Sequence, residues 1–193
     1  MYKTLCMKTF ATLALWLTLL SALSAQSLNP NWKKELNTSL EEFKGCAPNN
    51  TGTPTNCTKL QGETLNTVYK VNDFFSQKAG RYMTVSEVAG FLKQNSNWTA
   101  LGPAYLQETL TQAQQAANEN KAVVAIYQNA SAVGHIALVL PGALEASGSW
   151  GLNVPNTASF FLPEPSRSYV SKGLSFAFTK IMLKDITFYV RKY

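Results

Sequence analysis

The chain has 193 residues, 46% of them hydrophobic, with 17 basic and 11 acidic side chains and a formal net charge of +6. That is enough for one domain with a sizeable core. The cations are spread along the chain rather than clustered, so no nucleic-acid groove is expected. His135 is the single histidine, which excludes any site built from two imidazoles.

The first residues predict a secretory signal. Lys3 and Lys8 make a basic start, residues 10–20 are an apolar run with no charge, and residues 21–24 carry small residues suited to cleavage. About ten apolar residues are too few to span a bilayer, and no second apolar run follows. The signal is expected over 1–25 and a single mature domain over 26–193, with an uncleaved anchor as the alternative. Loss of the two lysines leaves a mature charge of about +4, a weak preference for an anionic polymer such as a bacterial wall.

Trp32, Leu36, Leu40 and Phe43 recur at helical spacing and predict a helix over 31–44, stopped by Gly45. Residues 46–55 are rich in Pro, Asn, Gly and Thr and read as a loop. Asn56 is a candidate N-cap for a second helix, with Cys57 in its first turn. Leu60, Leu65, Val68, Tyr69, Val71, Phe74 and Phe75 make that helix heavily apolar. Thr84 and Glu87 form a capping box for a third helix reaching Asn95. Residues 97–103 read as a turn, and 104–120 as a fourth helix rich in Ala and Gln.

The period then changes. Residues 122–127 and 133–140 predict two strands joined as a hairpin. Residues 141–155 are a Gly- and Ser-rich loop, and 159–162, 174–178 and 186–190 are further strand candidates. Helices first and a mostly antiparallel sheet after argue for one α+β domain.

Two residues carry candidate chemistry. A thiol attacks as thiolate, and the first turn of a helix favours that charge, which puts Cys57 in an activating place. An imidazole can take the thiol proton and return it to a leaving amine, and only His135 is available for that. Gly134 before it suggests close approach of another group. Two cysteines in the mature part of an exported protein are equally a disulfide framework, so a Cys46–Cys57 bridge stands as the rival reading. Metal catalysis lacks ligands, and neither a cofactor nor a phosphate-binding glycine loop is indicated.

The stretch Gly52-Thr53-Pro54-Thr55-Asn56-Cys57-Thr58 followed by a helix resembles the nucleophile motif of the first family of type VI secretion amidase effectors. So do Asn97-Trp98-Thr99-Ala100-Leu101, the Ala/Gln-rich helix, Val123-Val124-Ala125-Ile126, Gly134-His135-Ile136-Ala137-Leu138-Val139 and the ending Ile186-Thr187-Phe188-Tyr189-Val190. The order of motifs holds across residues 48–193. The resemblance implies an NlpC-type papain-like fold, N-terminal helices packed on a mostly antiparallel sheet. It implies a cysteine amidase acting on peptidoglycan stem peptides, characteristically at the γ-D-glutamyl to diaminopimelate bond. Cys57 would be the nucleophile, with its backbone N–H in the oxyanion hole, and His135 the base. Ser147 or Ser149 would orient the histidine from the following strand, with Glu145 and Asn153 behind. Asn56, Thr58 and Trp150 would contact substrate. Where the family commonly has Cys-Ser-Gly, this chain has Cys57-Thr58-Lys59. Type VI effectors are injected, whereas this chain begins with an export signal, so the expected location is the periplasm or the exterior.

The leading expectation is therefore an exported, monomeric, metal-free peptidoglycan amidase that could meet an inhibitor or immunity protein. Acyl transfer by the same dyad is a variant of it. The alternative from another class is a non-catalytic wall-binding or inhibitor module held by a Cys46–Cys57 disulfide.

Overall fold

The computed structural model describes residues 28–46, 56–129 and 134–193. The signal expected over 1–25 lies outside the described residues, as does the expected loop apart from Cys46. Helix α1 (Trp32–Lys44) turns Trp32, Leu36, Leu40 and Phe43 inward, as their spacing predicts. Asn29 ties its start to the next helix, donating from Nδ2 to the Glu35 carboxylate at 2.7 Å and to the Thr67 carbonyl at 2.8 Å. Helix α2 (Asn56–Tyr69) buries Cys57, Leu65, Val68 and Tyr69. It stops short of the expected Phe75, because Lys70 takes a left-handed φ of 54° that breaks the helical path.

A small hairpin of β1 (Phe75–Ser76) and β2 (Arg81–Tyr82) leads into α3 (Val85–Gln94). Gly62 of α2 lies against this hairpin: a Cβ there would stand 2.5 Å from Tyr82. The capping box at α3 forms as predicted, with the Glu87 N–H donating to the Thr84 hydroxyl and the Thr84 N–H to the Glu87 carboxylate. Arg81 grips the same carboxylate through both guanidinium branches at 2.8 and 2.9 Å, which with the Thr84 N–H holds the Glu87 pKa down to about 2.

Residues 97–103 are not a turn. They form β3 (Trp98–Pro103), an edge strand whose partner lies at the far end of the chain and is invisible to local pattern. Helix α4 (Gln107–Asn118) follows, then β4 (Val123–Gln128) and β5 (Gly134–Val139). A hairpin of β6 (Glu145–Ser147) and β7 (Leu152–Val154) interrupts the sheet, which resumes with β8 (Asn156–Ser159), β9 (Tyr169–Gly173) and β10 (Ile186–Arg191). The six-stranded order is β3-β10-β4-β5-β8-β9, antiparallel throughout. The α+β expectation with a large antiparallel sheet is what the structure shows. The strand expected at 174–178 is instead a 3-10 turn, Leu174–Phe176, and β9 lies just before it.

The sheet is covered on both faces. Val124, Ile126, Leu138, Ala158, Phe160 and Tyr189 face helices α1 to α3. Val123, Ala125, Ala137, Val139, Ile186 and Phe188 face α4, Trp150 and the crossover 174–185. Hence β4 reads as an unbroken apolar run rather than an alternation. Small side chains, Ala113 and Ala117, let α4 lie close to its face. The buried Gln114 of α4 stitches two strands, donating to the Leu140 carbonyl at 3.0 Å and accepting from the Asn156 N–H at 2.8 Å. Far from it, Asp73 accepts from the Trp98 indole and pairs with Arg191, both at 2.8–2.9 Å, clamping the last strand to the start of the fold.

Candidate functional site

Cys57 occupies the first turn of α2, where free N–H groups favour a thiolate. Its sulfur is bonded to Cys46 in a disulfide that joins the end of α1 to the start of α2. In that state Cys57 has no thiol to ionise and no lone thiolate to attack with. It is buried among Leu36, Phe43, Leu65 and Phe160 in the core that α1 to α3 share with the sheet.

His135 points the other way. Ala137 pairs with Ser159 across β5 and β8, so His135, two residues earlier, shares their face of the sheet. That is the face of Ala137 and Val139, covered by α4 and the crossover. Cys57 packs with Leu138, Ala158 and Phe160, on the opposite face. The pleat therefore separates thiol and imidazole, and the structure does not assemble the expected dyad.

What His135 does meet is Ser159, whose Oγ lies 2.7 Å from Nε2, with the donor set by the ring tautomer. Phe161 and Phe178 close over the ring, edge-on at 5.2 Å and tilted at 5.3 Å. Burial, with a smaller push from Arg167, pulls its pKa down from 6.5 to about 4, so the ring is neutral at pH 7. Serine and imidazole at this distance are the chemical components of a nucleophile pair, but Ser159 is 2% exposed, in mid-sheet between two strands. There it is closed off from the surface, and the pair makes a satisfied polar contact within the core.

The orienting group was expected at Ser147 or Ser149. The strand beside the histidine strand is β8, so Ser159 occupies that place, while Ser147 and Ser149 belong to the separate β6–β7 hairpin. Their hydroxyls lie 3.2 Å from each other, and Ser147 accepts the Trp150 N–H at 3.3 Å to close the turn. Trp150 lines no cleft: it is buried, and its indole N–H donates to the Phe178 carbonyl at 3.3 Å. Glu145 accepts the Gly173 N–H at 3.1 Å, and the Asn153 backbone exchanges two hydrogen bonds with the Gln107 amide. Thr58 is half-buried on α2, and the side chain of Asn56 lies outside the described residues. The signal for Ser159 was present in the sequence: Asn156-Thr157-Ala158-Ser159 places Thr157 and Ser159 on one face.

Gly134 does mark a close approach, though not of a substrate. A Cβ there would stand 2.7 Å from the Tyr127 carbonyl of the paired strand and 2.9 Å from Val85 at the start of α3. Beside Gln61, one turn beyond Cys57, an apolar cavity of about 30 Å3 lies between α2 and the sheet. It has room for roughly two waters, far short of a ligand pocket. Among the described residues no cluster of three His, Cys, Asp or Glu side chains could hold a metal, and no helix is long and apolar enough to cross a membrane. No protein-family model matches the chain, and no curated protein matches it.

Proposed function

We propose that this chain is an exported, non-catalytic binding module, built on a papain-like scaffold of the NlpC type and stapled by the Cys46–Cys57 disulfide. One observation carries the reading: the sulfur that would attack is bonded to Cys46, and the only histidine lies on the other face of the sheet. The scaffold part is supported by a helix opened by Cys57 whose last residue, Tyr69, donates to the Val139 carbonyl of the strand that carries His135, in an antiparallel sheet. Export accords with a disulfide, which persists in oxidising compartments. The bacterial wall is the proposed target, since the mature part, with a charge of about +4, has a weak preference for an anionic polymer.

The test is incubation of the unreduced protein with purified sacculi. The chain should co-sediment with them, weakly at high salt, and release no new peptide termini by mass analysis. Release of stem peptides by the wild type that Cys57→Ala abolishes would overturn this in favour of the amidase. Thiol titration of the unreduced protein should find neither Cys46 nor Cys57 free.

A further inference from the structure

The crossover 174–185 runs from β9 to β10 over the second face of the sheet. Three of its side chains, Leu174, Phe178 and Leu183, point down into the core beneath it. Ala177 and Met182 lean against the same core, while Phe176, Thr179, Lys180 and Ile181 between the anchors are exposed. Two of them are large and apolar: Phe176 is 62% exposed and Ile181 is 84% exposed. A single exposed apolar residue is ordinary on a protein surface. Here two stand on one crossover, each with a cation beside it.

Lys172 places its ammonium 5.3 Å from the centre of the Phe176 ring and 5.9 Å from that of Tyr169. Ile181 and Lys184 lie three residues apart in the 3-10 helix Lys180–Asp185, where such positions eclipse, so they share one ridge. Lys180 precedes Ile181. Across 171–185 three lysines stand against one acid, Asp185. Among the described residues none of the three lysines is in an ion pair. Outward apolar side chains flanked by unpaired cations match an interface that is apolar beneath and negatively charged above.

We propose that the crossover docks this protein on the surface of an anionic lipid bilayer. Phe176 and Ile181 enter the boundary between headgroups and acyl chains, and Lys172, Lys180 and Lys184 meet the lipid phosphates. An anionic wall polymer would engage the lysines alone and gain nothing from Phe176 or Ile181, which separates this surface from the wall target proposed above.

The test uses the whole unreduced chain with phosphatidylcholine vesicles, with and without phosphatidylglycerol, read by co-sedimentation, and with sacculi in parallel. Binding should need phosphatidylglycerol and weaken with salt. Each lysine changed to glutamine should lower partitioning roughly fivefold. The F176S/I181S pair should lower vesicle binding at least about tenfold at unchanged net charge and leave sacculus binding alone. Both positions are exposed, and near-UV circular dichroism checks that each variant is folded. Equal binding to neutral and anionic vesicles overturns the proposal. So does a F176S/I181S protein that binds vesicles like wild type, or one that loses sacculi in parallel. Failure to bind sacculi at all overturns only the wall target.

Discussion

The two faces of the central sheet are built from different materials. The face under α1, α2 and α3 is aromatic and cross-linked: Phe43 meets Phe160 edge-on at 5.0 Å, Phe74 stacks on Trp98 at 5.6 Å, and the disulfide joins the two helices above. The face under α4 and the crossover sets Trp150, Phe178 and Phe188 among small residues and polar stitches, with Ala113 and Ala117 lining α4, Gln114 bridging strands and His135 held by Ser159. The cysteine belongs to the first face and the histidine to the second. A two-residue catalytic constellation needs both on one side, and the pleat holds these two apart.

The largest expected effect tests the aromatic face. Phe43→Ala should cost about 3–5 kcal/mol by urea denaturation, because the ring is fully buried against Phe160. Leu110→Ala, under α4, should cost less; the reverse order would mean the second face carries the core. Replacing both Cys46 and Cys57 by serine should cost about 3 kcal/mol, as expected for releasing a loop of this size. It should also leave the His135 ring resonances unmoved in an NMR spectrum. A large shift of those resonances would break the separation of the two faces.

Acid should act through the second face. In the unfolded chain the imidazole takes up its proton near 6.5, whereas burial in the fold holds it off until about 4. Between those values the unfolded state binds more protons. Stability should therefore fall as pH drops from 6.5 towards 4 and lose nothing further from this residue below that, a total of about 3 kcal/mol. His135→Asn should flatten this part of the pH profile when urea midpoints are compared. At neutral pH, Ser159→Ala should cost about 1–3 kcal/mol by leaving a ring nitrogen without its partner. The smallest effect is outside the sheet: Thr84→Ala removes the cap of α3 and should cost about 1 kcal/mol in thermal or urea melts.

Where local chemistry alone decides structure, the sequence was legible. The spacing of Trp32, Leu36, Leu40 and Phe43 predicts α1, and Thr84 with Glu87 predicts the start of α3. The runs 122–127 and 133–140 predict the hairpin. Three errors share one cause. Residues 97–103 looked like a turn, 174–178 looked like a strand, and Ser147 looked like the neighbour of the histidine strand. Each depended on which distant segment lies alongside: β10 beside β3, the sheet face beneath the crossover, β8 beside β5.

By itself the sequence determined the class of the fold and the two residues on which any thiol mechanism would turn. It also narrowed Cys57 to two fates, nucleophile or half of a disulfide, without choosing. Only the tertiary structure paired Cys57 with Cys46 and turned His135 to the far face. The physical reason is that β4 and β5 are buried on both sides. An apolar run such as Val123-Val124-Ala125-Ile126 carries no polar alternation to say which residues face which helices. The direction of His135 is then set by strand register against helices far away in the chain.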